Sequence, residues 1–329
     1  MRRRIEVYHR EAGIKMRRKL QVNGSVVEYN RRTFKKFLLD NLAGMLFTLP
    51  LVLGLIIFSA IPIIQSLIYS FYRYDMTTTL EFIGFDNYAN LLWGYDSAEV
   101  RGVFGRTFLY AIITVPLTLV LSYLVAVLLH QNVKGIKTFR VLCYLPCLIP
   151  GVVSALVWRS MLDPDYGIFN AILQAFGLSP IKWLEAKETA MFSMIFMGLW
   201  GVSGGMILWL AAFNNIPSTL YEAADIDGAG RVRKFFNITI PLSTSMIFYN
   251  LVTGVIGSLQ VFSTFIMAGG GDGPEKSLYF IAVKIYKEAF QRWNMGYASA
   301  LAWVLFVVIA ILTSMVFKTS KWVYYGEEG

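Results

Sequence analysis

Tyr221-Glu222-Ala223-Ala224-Asp225-Ile226-Asp227-Gly228-Ala229-Gly230, running on to Pro241, is a polar interruption between two apolar runs, each long enough to cross a membrane. Glu222, Ala223 and Ala224 favour a helix, Pro217 suits its first turn, and Gly228 can supply the turn that ends it. The stretch therefore predicts a short helix, a turn and a second helix. Ala223, Ala224 and Ala229 leave room for another backbone to come close, and Glu222 offers a carboxylate. Arg231, Arg233 and Lys234 add positive charge. Such a segment reads as a docking element for a partner protein.

The composition around it is that of a membrane protein. Of 329 residues, 56% are hydrophobic and only 16% charged, where soluble domains carry about 25% charged residues. Crossing a hydrocarbon core of about 30 Å takes about 20 apolar residues in a helix, and only helices or closed barrels satisfy their backbone groups there. Six runs qualify: Leu42 to Tyr69, Thr107 to Leu129, Phe139 to Met161, Ala190 to Phe213, Leu242 to Ala268 and Ala298 to Phe317. The strand alternation of a membrane barrel is absent. The expected fold is all-α and polytopic, with six transmembrane helices.

The formal charge of +9 would suit a nucleic-acid partner if the basic residues covered a folded soluble face, but they do not. Arg2, Arg3, Arg4, Arg10, Lys15, Arg17, Arg18, Lys19, Arg31, Arg32, Lys35 and Lys36 all precede the first apolar run. A cluster so placed fixes orientation and meets anionic lipid headgroups. It is too long and polar for a cleaved signal peptide, and the run that follows exceeds the roughly 7–15 apolar residues of a signal core. Lys134, Lys137 and Arg140, the Arg231-Arg233-Lys234 group, and Lys318 with Lys321 all fall on the tail's side if the N-terminus is cytoplasmic. Both termini and the stretch at 215–241 are then cytoplasmic. The expected organisation is a basic tail over 1–40, a membrane domain over 41–320 and a cytoplasmic tail over 321–329. Cys143 and Cys147 lie one helical turn apart without accompanying histidine or carboxylate, so neither a disulfide nor a metal site is expected.

The pattern Glu222-Ala223-Ala224, three residues, Gly228-Ala229, then Phe235, Ile238, Ile240 and Pro241 resembles the EAA loop of bacterial ABC importer permeases, that family's coupling helix. Leu199-Trp200-Gly201 through Pro217, Gln260-Val261-Phe262 through Gly271, Trp158, Asp163 through Gly167, and Asn170 look like its carbohydrate-type members, the group of the maltose and glycerol-phosphate systems. The resemblance covers roughly residues 40 to 320 and implies a type I importer permease fold in the bacterial inner membrane. It implies a second permease subunit, in carbohydrate systems usually a different chain, two copies of an ATPase subunit and an extracytoplasmic solute-binding protein. Glu222, Ala223, Ala224, Asp227, Gly228 and Ala229 would meet the ATPase. ATP and Mg would be bound by that subunit, with no cofactor on this chain and no enzymatic activity of its own.

The residues themselves agree that the energy source lies elsewhere. The Gly269–Pro274 region is not a P-loop, because Glu275 stands where the last glycine would precede Lys276. An ion-coupled transporter would usually place an Asp, Glu or His inside a span, and none lies well inside one here. Sugars call for aromatic rings against their C–H faces and for hydrogen-bond partners to their hydroxyls. The fourth run offers Trp200, Gly201 and Gly204. The fifth offers Gly254, Gly257 and Ser258, expected to share a helical face with Val261, and beside them Gln260. In maltose-type permeases the corresponding stretches build the sugar site, so these eight residues are the expected substrate contacts. Two rival readings stay open: an ABC importer permease for a non-sugar solute and an ion-coupled secondary transporter. The third loop on the outer side, with a helical pattern from Ser277 to Phe290, is a candidate contact for an outside partner.

Overall fold

The apolar run from Thr107 to Leu129 forms the C-terminal two thirds of a longer helix, Ser97–His130. At 1.5 Å per residue its 34 residues extend about 50 Å, so its ends reach well beyond a hydrocarbon core of about 30 Å. The computed structural model describes residues 18–22, 25–29, 31–76, 80–131, 133–267 and 269–324. The first 17 residues of the expected basic tail, the last five of the chain and Ala268, the expected end of the fifth run, lie outside the described residues.

Among the described residues, Gly44–Tyr69, Ser97–His130 and Met295–Lys318 are each long and apolar enough to cross a membrane alone. Three bent pairs also pass if each is one broken span: Ile136–Leu148 with Gly151–Met161 at 96°, Lys187–Val202 with Met206–Asn214 at 46°, and Arg231–Leu242 with Thr244–Leu259 at 64°. The spans then number up to six, in the order expected. Each break has a local cause. Pro146 and Pro150 withdraw backbone donors from the third span. Gly201, Gly204 and Gly205 sit in the 3-10 segment Leu199–Gly205 of the fourth. Pro241 precedes the bend in the fifth.

The chain divides into two units, Met1–Gln65 and Ser66–Gly329. In the first, an antiparallel hairpin pairs Arg18–Val22 with Ser25–Tyr29, and the helix Arg31–Leu55 follows. Residues 31–40, expected in the tail, are thus the opening turns of that helix. Among the described residues, this hairpin and a second one, Tyr72–Tyr74 with Leu80–Phe82, are the departures from an all-helical chain.

In the second unit the second span is central, with the fourth and fifth packed along it. Outward-facing Ile112, Leu128 and Phe306 are 69%, 62% and 58% exposed. A soluble protein would have to cover so much apolar surface, whereas lipid is its natural solvent. Loops 162–186 and 260–294 gather at the end where the second span begins. There Asn170 Nδ2 donates to the Pro164 and Ile181 carbonyls at 3.0 and 2.9 Å, and its Oδ1 accepts from Ile181 N–H and Trp183 Nε1. All of its amide capacity goes to fastening one loop, which accounts for a buried asparagine.

The same end carries a buried ionic cluster. Lys284, on the short helix Ile281–Tyr286, is fully buried, with Nζ 2.8 Å from Asp96, 2.6 Å from Glu99 and 3.5 Å from Glu288. Arg292 adds a 2.6 Å contact to Glu288, Lys276 pairs with Glu99, and Tyr297 donates to Asp96. Burial by itself pulls the Lys284 ammonium down, but the hydrogen bonds to Asp96 and Glu99 outweigh it and its pKa is raised above the ordinary lysine value. The expected helical pattern from Ser277 to Phe290 is therefore a short helix continued by the π-turn Lys287–Gln291, and its charged face points inward.

Candidate coupling loop and solute path

At the opposite end, Ser218–Ile226 forms the short helix the sequence predicts. Pro217 stands one position earlier than expected, at the N-cap, and its carbonyl accepts from Leu220 N–H at 3.2 Å. The helix stops as a Schellman motif. Ala229 N–H returns to the Ala224 carbonyl at 2.8 Å and Gly228 N–H to the Asp225 carbonyl at 3.1 Å, with Gly228 left-handed at φ +73°. The second helix begins at Arg231, and Lys234 from it pairs with Asp225. Glu222, Ala223, Asp227 and Gly228 are exposed, while Ala224 and Ala229 are half-buried. Ile226 stands 88% exposed beside them. The helix thus presents a carboxylate, a small residue and an uncovered apolar side chain on one surface.

Three hollows adjoin one another within the second unit. The largest, about 420 Å3, opens at the loop-rich end between Arg159, Asp163, Glu185 and Asp272. Met267 is shared between it and a hollow of about 350 Å3 walled by Tyr110, Trp158, Trp200, Gly201 and Gly204. Gly198 and Gly201 are in turn shared with a deeper hollow of about 270 Å3, lined by Thr118, Ser122, Asn250, Thr253 and Gly254. The outer hollow is charged; the inner two are lined by no carboxylate, ammonium or guanidinium group. Trp158 and Trp200 meet edge-to-face at 5.6 Å and 85°, so the wall of the middle hollow is a fixed aromatic corner.

Of the eight expected contacts, Trp200, Gly201 and Gly204 come together in the middle hollow, and Gly254 reaches the deeper one. The other four line neither. The helix of the fifth span ends at Leu259 with Gln260 at its C-cap, so Val261 lies beyond the helix and does not share a face with Gly254, Gly257 and Ser258. Val261 packs instead beside the cluster around Trp158. Gly257 is exposed, and the buried Ser258 gives its hydroxyl to the Val255 carbonyl at 3.0 Å. The sequence reading missed Tyr110, Thr118 and Ser122. Their signal was present: Tyr110, Thr114, Thr118 and Ser122 recur every four residues in an otherwise apolar run, the spacing of one helical face.

Neutral hollows between the spans of a multi-pass helical protein, one of them walled by aromatic rings, suit a membrane transport subunit. The chain belongs to the family of binding-protein-dependent transport system inner membrane components, whose model matches residues 119–320. It is 37% identical to the probable ABC transporter permease protein YesP of Bacillus subtilis over 92% of this chain and 97% of that one. It is 31% identical to the trehalose/maltose transport system permease protein MalF of Thermococcus litoralis, over 84% of this chain and 93% of the relative. In fold it is similar to a chain of a bacterial alginate ABC transporter solved in complex with alginate pentasaccharide-bound periplasmic protein, with a TM-score of 0.75, 23% identity, and coverage of 88% of this chain and 98% of that one. It is thus a permease subunit of an ABC importer, a multi-pass inner-membrane component and not an enzyme.

Proposed function

We propose that this permease forms half of the path by which a sugar or oligosaccharide is imported, and that the coupling loop passes it the work of ATP hydrolysis on partner subunits. The observation that carries the reading is the pair of inner hollows, in which an aromatic corner is followed by hydroxyl and amide groups with no fixed charge. Saccharides need that pairing of ring faces with hydrogen-bond partners. A relative named for trehalose/maltose transport supports the same class.

The partners follow from the family. A second permease, usually a different chain, completes the path. Two ATPase copies, carrying ATP and Mg, receive the helix Ser218–Ile226, with Glu222 in polar contact, Ala223 and Ala224 allowing close approach, and Asp227, Gly228 and Ala229 shaping the turn. An extracytoplasmic binding protein delivers solute at the loop-rich end. Both termini lie in the cytoplasm, with 1–40 as the tail, its last ten residues opening the first helix, 41–320 as the membrane domain and 321–329 as the second tail. Trp200, Gly201, Gly204 and Gly254 meet the solute, and Gly257, Ser258, Gln260 and Val261 shape the span behind them.

The test is uptake by the assembled transporter in vesicles, measured against a panel of mono- and oligosaccharides, amino acids and phosphate. ATP-dependent accumulation of a saccharide is expected. Accumulation of only a non-sugar solute, or accumulation that persists without ATP and collapses with an uncoupler, would overturn the reading. Gly201 lies on both inner hollows and a side chain there would enter open space. Gly201→Trp should therefore block uptake to background while the chain remains folded and inserted, as judged by an unchanged thermal midpoint. Normal uptake by that variant would place the path elsewhere.

A further inference from the structure

The bend at Ser243, where the helix leaving the coupling loop meets the fifth span, is held by a continuous run of hydrogen bonds. Ser243 Oγ donates to the Thr239 carbonyl at 2.7 Å and approaches that of Ile240 at 3.1 Å, so its single proton is committed to its own helix. The Tyr123 hydroxyl, 3.0 Å from Ser243 Oγ, must then be the donor. On the same turn Thr239 Oγ1 meets the hydroxyl of Tyr221 at 2.9 Å, and Tyr221 belongs to the coupling helix. Polar contacts thus run unbroken from that exposed helix to the central second span. They cross the π-turn Phe235–Thr239, a local departure from helical geometry of the kind often found at functional positions.

Tyr123 is also where aromatic packing converges. Its ring meets Trp209, Phe213 and Phe235 edge-on at 5.0, 5.3 and 6.0 Å. Trp209 Nε1 donates to Ser122 Oγ at 3.2 Å, and Ser122 lines the deeper hollow. Ser243 is fully buried and Tyr123 nearly so, so a displaced partner would leave a buried hydroxyl unsatisfied. A shift of the coupling helix that moves Thr239 must therefore carry Ser243 and Tyr123 with it.

We propose that Tyr123 and Ser243 are positioning residues that transmit displacement of the coupling helix to the wall of the solute path, an inference that rests on the coupling role given to the loop above. The native Cys147, which lines the middle hollow, serves as reporter in a Cys143→Ser background. In the assembled transporter in vesicles, labelling of Cys147 by a membrane-impermeant maleimide is timed without nucleotide and with a non-hydrolysable ATP analogue. The rate should differ between the two states. Tyr123→Phe and Ser243→Ala should each shrink that difference about fivefold, roughly the equilibrium weight of one hydrogen bond, while ATP hydrolysis continues. The double variant should be no worse than Ser243→Ala alone, because that variant already removes the one bond that Tyr123→Phe removes. A full nucleotide response in both single variants, with only a lowered thermal midpoint, would overturn the proposal and leave the pair structural; additive losses in the double variant would also overturn it. Gly228→Pro separates the two levels: a normal response there removes the coupling role of the loop itself. Loss of response in Gly228→Pro beside a full response in Tyr123→Phe and Ser243→Ala removes the relay alone.

Discussion

Replacing Gly228 with proline is expected to abolish solute uptake while the chain still reaches the membrane. The native φ of +73° is far from the value near −65° that the proline ring imposes. The substitution also removes the N–H that closes on Asp225, so the Schellman turn cannot form and the helix Ser218–Ile226 loses its stop. Gly228 itself is exposed, with open space where a side chain would stand, and belongs to none of the cores that hold the spans together, so insertion should survive. Coupling should not. Moving a two-state protein from 1:99 to 99:1 takes about 5.5 kcal/mol of differential binding, and a partner that no longer recognises the helix supplies none of it. Glu222→Lys should act alike by reversing the charge that the exposed face presents. Uptake into vesicles, read beside the amount of inserted protein, checks both variants. Transport at the native rate by both would mean that this loop does not carry the coupling.

Lys284→Met is expected to be the most destabilising single substitution in the loop-rich end. The ammonium stands between three carboxylates that are themselves largely covered, and removing one partner of a buried ion pair typically costs about 3–5 kcal/mol. Each carboxylate keeps one other contact: Tyr297 for Asp96, Lys276 for Glu99 and Arg292 for Glu288. The loss should therefore fall near the lower figure, about 3 kcal/mol. It should appear as a drop in the thermal midpoint of the detergent-extracted chain. Pairing Lys284→Met with Glu288→Gln should recover part of it by taking away one of the charges left facing the others. An unchanged midpoint in Lys284→Met would show that the cluster contributes no stability.

The helix Ser218–Ile226 was legible almost residue by residue, because its start and stop depend on local chemistry: a proline ahead of it, good helix formers within it and a glycine free to turn left-handed after it. The order of the apolar runs was legible for a similar reason, since hydrocarbon thickness sets a length that such runs either reach or miss. Where the spans bend was harder to read. Pro146, Pro150 and Pro241 flag the breaks, but the end of the fifth helix at Leu259 carries no such mark, and the expected stripe through Val261 failed there. The ionic cluster was invisible to the sequence. Asp96 and Glu99 lie some 185 positions from Lys284, and only the folded bundle brings these two carboxylates, from the start of the second span, against the buried lysine beside Glu288.

The absence of fixed charge from the two inner hollows has an electrical consequence. Moving one elementary charge through 100 mV involves about 2.3 kcal/mol, so a wall bearing ionised groups would make the transport cycle respond to the membrane voltage. These walls carry tryptophan, glycine, hydroxyls and an amide, and their rearrangement displaces almost no charge across the bilayer. For an uncharged solute, the rate of import should stay the same whether vesicles are polarised or not.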